Sequence, residues 1–247
     1  METTQSLTNA RNAIFELMPQ WAAEKYIKGE QPIESESGYL VIIDLKSSSK
    51  IAATFGSEVW SQFIKSTMEP IYSSIVAKYN GKIHQVIWDA FYICIPSNVP
   101  HAETFLMVIQ MVDELIRATT SPYLDNNFTS VFPKGTNNLF ARAALVFGDT
   151  TRGLTPPPNP TWSIIGSTMA VASKLEQAAK GAPGDIFVVS KTVPLNLMDY
   201  FIKTDRWIDA ASDYAASIET SSVGKIVSES HMKNPDGPDR PFLPRAN

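Results

Sequence analysis

Cysteine is almost missing from this chain. Cys94 stands alone among 247 residues, so neither an internal disulfide nor a cysteine-built zinc cluster can form. Histidine is nearly as scarce: His84, His101 and His231 are scattered and show no metal-ligand spacing. There is no excess of basic charge, with 21 Lys and Arg against 25 Asp and Glu, which argues against a dedicated nucleic-acid binder. No apolar run approaches the roughly 20 residues of a membrane span. The opening METTQSLTNARNAIFELM lacks the basic start and apolar stretch of a signal peptide. The expectation is a soluble, cytoplasmic protein with no nucleic-acid or membrane partner. What is present is ample apolar material, 44% of residues, enough for one large core or one core with an appendage.

Residues 7–28 carry apolar positions at helical steps, with Pro19 expected to kink or divide the helix. The polar stretch 29–38 reads as a linker. The chain thus divides into an N-terminal helical segment and linker (1–36), a main domain (37–232) and an irregular, proline-rich tail (233–247). In the main domain GYLVIIDL, 38–45, is a short apolar, β-branched run expected as a buried strand ending at Asp44. Residues 47–80 have helical periodicity, with a break at Gly56 and Ser57 as the expected N-cap of the second helix. Asn80-Gly81 signals a turn. KIHQVIW and AFYICIP are two strands with Asp89 between them, a tight hairpin. A helix over 101–118 and a strand over 141–149 follow. The stretch 150–162 is proline-rich and is expected to leave regular structure. Then come a helix over 167–181, a strand over 185–190, and a short helix with one or two strands up to about 228. The hairpin breaks strict strand-helix alternation, so the order predicts an α+β sheet with its helices on one face.

Two aspartates stand out by placement. Asp44 ends an apolar strand and Asp89 sits at a hairpin tip, positions from which loops present functional carboxylates. Brought together, two carboxylates repel and are stabilised by a cation, for which oxygen ligands suit Mg²⁺ or Mn²⁺. Taken singly, Asp89 also reads as a turn residue and Asp44 as a helix cap. Ser47, Ser48 and Ser49 precede a helix start, which serves equally for capping or for phosphate binding by backbone N–H groups.

Five stretches in order resemble the class III nucleotidyl cyclases, the adenylate and guanylate cyclase catalytic domain. They are Asp44-Leu45-Lys46-Ser47-Ser48-Ser49, Trp88-Asp89, Arg142 through Gly148, Gly166 through Lys174, and Ile186 through Ser190, covering about 38–192. The resemblance implies a ferredoxin-like α+β sandwich, an antiparallel-rich sheet with helices, working as a head-to-tail homodimer with sites at its interface. It implies that Asp44 and Asp89, helped by the Leu45 carbonyl, hold two divalent ions, Mn²⁺ or Mg²⁺. It implies that Ser47, Ser48, Ser49 and Arg142 bind the triphosphate. On the later helix the family has an Asn and an Arg where this chain has Ala170 and Lys174. Lys174 keeps the positive charge of the transition-state contact without a planar fork. A catalytically degenerate, cyclase-like regulatory module is therefore the competing expectation.

The base-reading positions also depart from the purine pattern. Where that family has Lys or Glu there is Gln85, and where it has Asp or Cys there is Ser163. An amide and a hydroxyl each offer a donor and an acceptor, which suits uracil and, with the amide flipped, cytosine. Trp88 replaces the Gly before the hairpin aspartate; its indole either narrows the pocket against a two-ring base or anchors the core under the hairpin. These departures are similar to those of the bacterial pyrimidine cyclases of antiphage defence. That resemblance implies a uridylate cyclase using UTP, with CTP or a purine as alternatives, whose cyclic nucleotide acts on a separate effector in trans.

Overall fold

The computed structural model describes residues 18, 20–46, 48–119, 140–154, 162–178, 185–189, 192–204, 207–209 and 223–227. The expected helix over 7–17, Pro19, Ser47, the proline run after 154, Gly181, Ser190 and the tail lie outside them.

Two long strands, β1 (Ile33–Lys46) and β4 (Phe140–Leu154), form the centre of the sheet. They pair antiparallel without a register shift from Ile33↔Gly153 to Lys46↔Phe140. Both exceed the sequence expectation. Ile33–Glu36, read as linker, and Thr150–Gly153, read as the start of an irregular excursion, are each other's partners in this ladder. Both stretches are polar in unbroken runs, Glu34 through Ser37 and Asp149 through Arg152, and Glu34 and Glu36 share one face and pair with Arg152 at 3.2 and 2.8 Å. A strand polar on both faces carries no period-two apolar signal.

On one side of β1 lies β3 (Ala90–Pro96), followed at the edge by β2 (Lys82–Ile87). On the other side of β4 lie β6 (Asp185–Val189), β8 (Val223–Val227) and β7 (Trp207–Asp209), while β5 (Trp162–Ile165) pairs with the far end of β4. Only the β4–β6 pairing is parallel among the described strands. This is the expected antiparallel-rich α+β sheet.

The apolar run of β1 is buried on both faces, Tyr39 through Ile43 being no more than 1% exposed. Its odd positions, Tyr39, Val41, Ile43 and Leu45, meet a layer of helices. That layer contains α2 (Ser48–Phe55), α3 (Ser57–Phe63), a π-helical turn (Ile64–Met68), α4 (Glu69–Lys78), α5 (Ala102–Thr119) and α7 (Leu195–Lys203). A short helix, α1 (Gln20–Ile27), precedes the sheet. The even positions of β1, Leu40 and Ile42, meet Ala172 and Leu175 of α6 (Ser167–Ala178). Helices therefore cover both faces, not one as expected, because α6 buries an apolar stripe of its own against the opposite side.

The helix break at Gly56 is as expected, but the cap is not. Gly56 itself is the N-cap of α3 at φ 97, with no side-chain capping bond, so the left-handed backbone of glycine makes the break and Ser57 is the first helical residue. Gly148 has a different role. A Cβ there would lie 2.6 Å from Thr168 Oγ1, so its absence lets the start of α6 sit directly on β4. Thr168 Oγ1 donates to the Asp149 carbonyl at 2.6 Å in the same place. Among the described residues no helix is long and apolar enough to cross a membrane.

Candidate active site

Asp44 stands near the end of β1, directly opposite Arg142 on β4, and the two side chains form an ion pair. A cross-strand pair of opposite charge is a favourable sheet contact. Phase dictates its direction: Asp44 follows Leu40 and Ile42 on the even face, the face that α6 covers. The neighbouring strand β3 pairs Phe91 with Ile43, so the β2–β3 hairpin turn brings Asp89 alongside Asp44. The two aspartates expected to meet across adjacent strands line one cavity of about 840 Å³.

The same cavity takes in Leu45, Ser48 and Ser49, and also Trp88 at its mouth. Ser48 is buried and begins α2, with Ser49 exposed beside it. Among the further residues lining it that were not expected from the sequence are Lys50, Trp60, Tyr92 and Glu176. Glu176 Oε1 accepts from Arg142 Nη2 at 3.0 Å and Nε at 3.3 Å. Its signal in the sequence is phase, since Glu176 lies four residues after the buried Ala172 and next to Leu175. Lys174, two residues earlier, falls on the exposed side of the same helix.

The site is short of positive charge. Asp44, Asp89 and Glu176 face Arg142 and Lys50. Burial pushes the Asp44 carboxyl up to about 7; Arg142 pulls against this, and the charges of Asp89 and Glu176 add to it. Burial and the same three carboxylates hold the Tyr92 phenol above its usual range. Asp89 Oδ2 is buried with no hydrogen-bond partner. An orphaned carboxylate oxygen beside a second carboxylate is the donor set a hard divalent cation satisfies. Among the described residues no three His, Cys, Asp or Glu side chains form a metal cage. The set instead matches Mg²⁺-type sites, where one or two carboxylates act together with substrate phosphates.

Asp44 gives the metal-free protein a pH signature. A carboxyl whose folded pKa is raised from 3.8 to about 7 gives the folded state the extra proton between those values. The contribution of Asp44 to stability is then full below about pH 4 and is lost as pH rises through about 7. Denaturant titrations in chelator should show that fall, and Asp44→Asn should flatten it; an undiminished slope in the variant would exclude Asp44 as its source.

Trp88 occupies the first position of the two-residue turn, in the left-handed region at φ 58. Its side is largely bare, with the residue 73% exposed, so the core-anchor reading is overturned. The indole separates the main cavity from a smaller one of about 390 Å³ that Trp60 and Ile64 also line. Trp88→Gly should leave stability unchanged or raise it by up to about 1 kcal/mol, because glycine relieves a left-handed cost of about 1–2 kcal/mol and adds some unfolded-state entropy. A clear loss in a denaturation midpoint would mean that the indole buries more than its exposure shows.

The remaining expected site residues do not join this cavity. Gln85 is half-buried on β2, paired with Tyr92 just after a bulge that also turns His84 toward Arg152. Ser163 is on β5 opposite Gly153. Lys174 and Ala170 are exposed on α6.

No protein-family model and no curated protein matches this sequence. Solved structures do. A bacterial light-regulated adenylyl cyclase superposes with a TM-score of 0.59 at 14% identity, over 91% of this chain and 62% of that one. The guanylyl cyclase Cya2 gives 0.56 at 12% identity over 78% and 91%. The adenylyl cyclase CyaB from P. aeruginosa gives 0.52 at 15% identity over 79% and 95%. This chain thus spans about 62% of the length of the light-regulated cyclase chain. At these identities the likeness establishes the fold alone: the sheet and its helices are arranged as in these cyclase structures.

Proposed function

We propose that this chain is a nucleotide cyclase converting a pyrimidine nucleoside triphosphate, UTP above CTP, to its 3′,5′-cyclic monophosphate and pyrophosphate. The observation that carries the reading is the cavity in which Asp44, Asp89 and Arg142 converge, with one aspartate oxygen buried and unpartnered, on a sheet of the cyclase fold. Asp44, Asp89 and the Leu45 carbonyl would hold two divalent ions, Mn²⁺ or Mg²⁺. When bound, these supply Lewis acidity to the ribose 3′-oxygen and neutralise charge on the triphosphate.

The chain's own groups do the rest. Arg142 takes phosphate oxygens through its guanidinium. The start of α2, with Ser48 and Ser49, offers backbone N–H groups to the same phosphates, Ser47 being assigned to them from the sequence resemblance alone, and Lys50 adds a cation. The 3′-oxygen bonds to the α-phosphorus in line with the departing bridge to the β-phosphate. That bond breaks, pyrophosphate carries away the electron pair, and the hydroxyl proton passes to solvent. Trp60 and the indole of Trp88 wall the cavity.

Gln85, Ser163 and Lys174 belong in this reading to the partner chain's contribution to a head-to-tail homodimer, with the first two meeting the base. The bidentate capacity of Gln85 and the bulk of Trp88 support a one-ring base. The product would act as a second messenger for a separate effector in antiviral defence, a role that rests on the sequence resemblance. Ala170 and Lys174 favour a second reading, a cyclase-like module that binds nucleotide without turning it over.

One experiment separates these readings: the purified chain with Mn²⁺ and equimolar UTP, CTP, ATP and GTP, with products resolved by mass. Cyclic UMP should dominate. Cyclic CMP would move the preference within the pyrimidines, and cyclic AMP or cyclic GMP would overturn the pyrimidine reading. No product from a folded protein with bound Mn²⁺ would establish the regulatory module instead.

A further inference from the structure

Arg142 has two carboxylate partners at the same edge of its guanidinium. Nη2 donates to Asp44 and to Glu176 Oε1 at 3.0 Å, and Nε donates to Glu176 at 3.3 Å. All three side chains are no more than 16% exposed. The arrangement poses a difficulty for any reading in which Asp44 takes a cation. Once Asp44 is engaged elsewhere, the buried guanidinium loses its partner on the opposite strand, and weakening the pairing of a buried charge is costly.

We propose that Glu176 is the positioning residue for Arg142, holding the guanidinium at the phosphate side of the cavity when Asp44 is given over to the divalent cation. The inference rests on the nucleotide-cyclase reading of this site. Glu176 suits the role because its Oε1 accepts from both Nε–H and Nη2–H of Arg142, which orients the guanidinium as well as balancing its charge. It is also rigidly mounted. Ala172 and Leu175 bury the same face of α6 against β1 and β4, and the Thr168–Asp149 bond over Gly148 pins the helix start. Glu176 thus keeps its place whichever partner Asp44 has. The ligand class it serves is the polyphosphate chain, through Arg142, and it touches no reacting atom itself.

The test is a double-mutant cycle between Glu176→Gln and Arg142→Ala, which isolates the part of one residue's effect that passes through the other. Two quantities are read. One is kcat/KM for the nucleotide the wild-type chain cyclises. The other is the affinity for the 3′-deoxy analogue of that nucleotide, which lacks the attacking hydroxyl, measured calorimetrically with Mn²⁺. Glu176→Gln alone should lower both by about ten- to a hundredfold, Glu176→Asp should recover part of the loss, and Glu176→Gln should have no further effect in the Arg142→Ala background. In the metal-free protein the Arg142 Nε–H should exchange more slowly in the wild type than in Glu176→Gln. Wild-type values in Glu176→Gln, or losses that simply multiply in the double variant, would overturn the positioning role while leaving the cyclase reading intact. A wild-type chain that neither turns over nor binds the analogue would overturn both.

Discussion

Asp89→Asn should abolish pyrophosphate release while leaving the fold intact. The substitution keeps the shape of the side chain and removes the charge, so it spares packing and strikes only at cation binding. Asp89 Oδ2 is already buried without a partner, which means that no hydrogen bond within the described structure is sacrificed at that atom. Loss of the several kcal/mol that a bound metal contributes to transition-state charge corresponds to roughly a thousandfold or more in rate. Asp44→Asn should behave alike in turnover, although it also breaks the ion pair to Arg142. The measurement is pyrophosphate release with Mn²⁺ and saturating nucleotide, beside a thermal melt of each variant. Turnover near the wild-type level in either variant would end the two-metal reading.

Two dead chains should make one working site. Gln85, Ser163 and Lys174 do not line the cavity of Asp44 and Asp89 in their own chain, and Lys174 points outward from α6. In a head-to-tail dimer they would complete the cavity of the partner. Asp44→Ala and Lys174→Ala chains should each be inactive alone. Mixed in equal amounts they should recover about a quarter of the wild-type rate, since half the dimers are mixed and each holds one intact site. Light scattering and a tagged pull-down would establish that mixed dimers form. No recovery from proven mixed dimers would mean that each site is built within one chain.

Much of this site is legible in the sequence because it hangs on a strand. GYLVIIDL reads as a buried strand that ends at Asp44, and the ladder then sets Arg142 across from it. The Gly56 break and the hairpin at Asp89 are equally local signals, although Trp88, read as the last residue of its strand, is the first of the turn. What escaped is what depends on neighbours. Glu34 and Glu36 looked like linker because their partner, Arg152, is 116 to 118 residues away in the chain. Glu176 was passed over because Lys174, two residues earlier, carried the family resemblance, and only helical phase separates the two. Lys50, one helical step beyond the three serines, carries no signal of its own in the sequence. The face that α6 covers could not be told from its own periodicity, since an amphipathic helix fits either side of a sheet.

The unbroken pairing of β1 with β4 has a consequence for how such chains can change length. Fourteen consecutive residues of β1 meet fourteen of β4 with no bulge to absorb an extra one. Because side chains alternate, one inserted or deleted residue between Glu36 and Asp44 would turn Asp44 into the helix layer and bring a core residue to the cavity, unless a bulge formed beside it. The same holds on β4 between Thr150 and Arg142. Insertions and deletions that this domain tolerates should therefore gather in the connections between elements, and those within the ladder should come in pairs of residues. Length, in this part of the molecule, is as constrained as the identity of the aspartate itself.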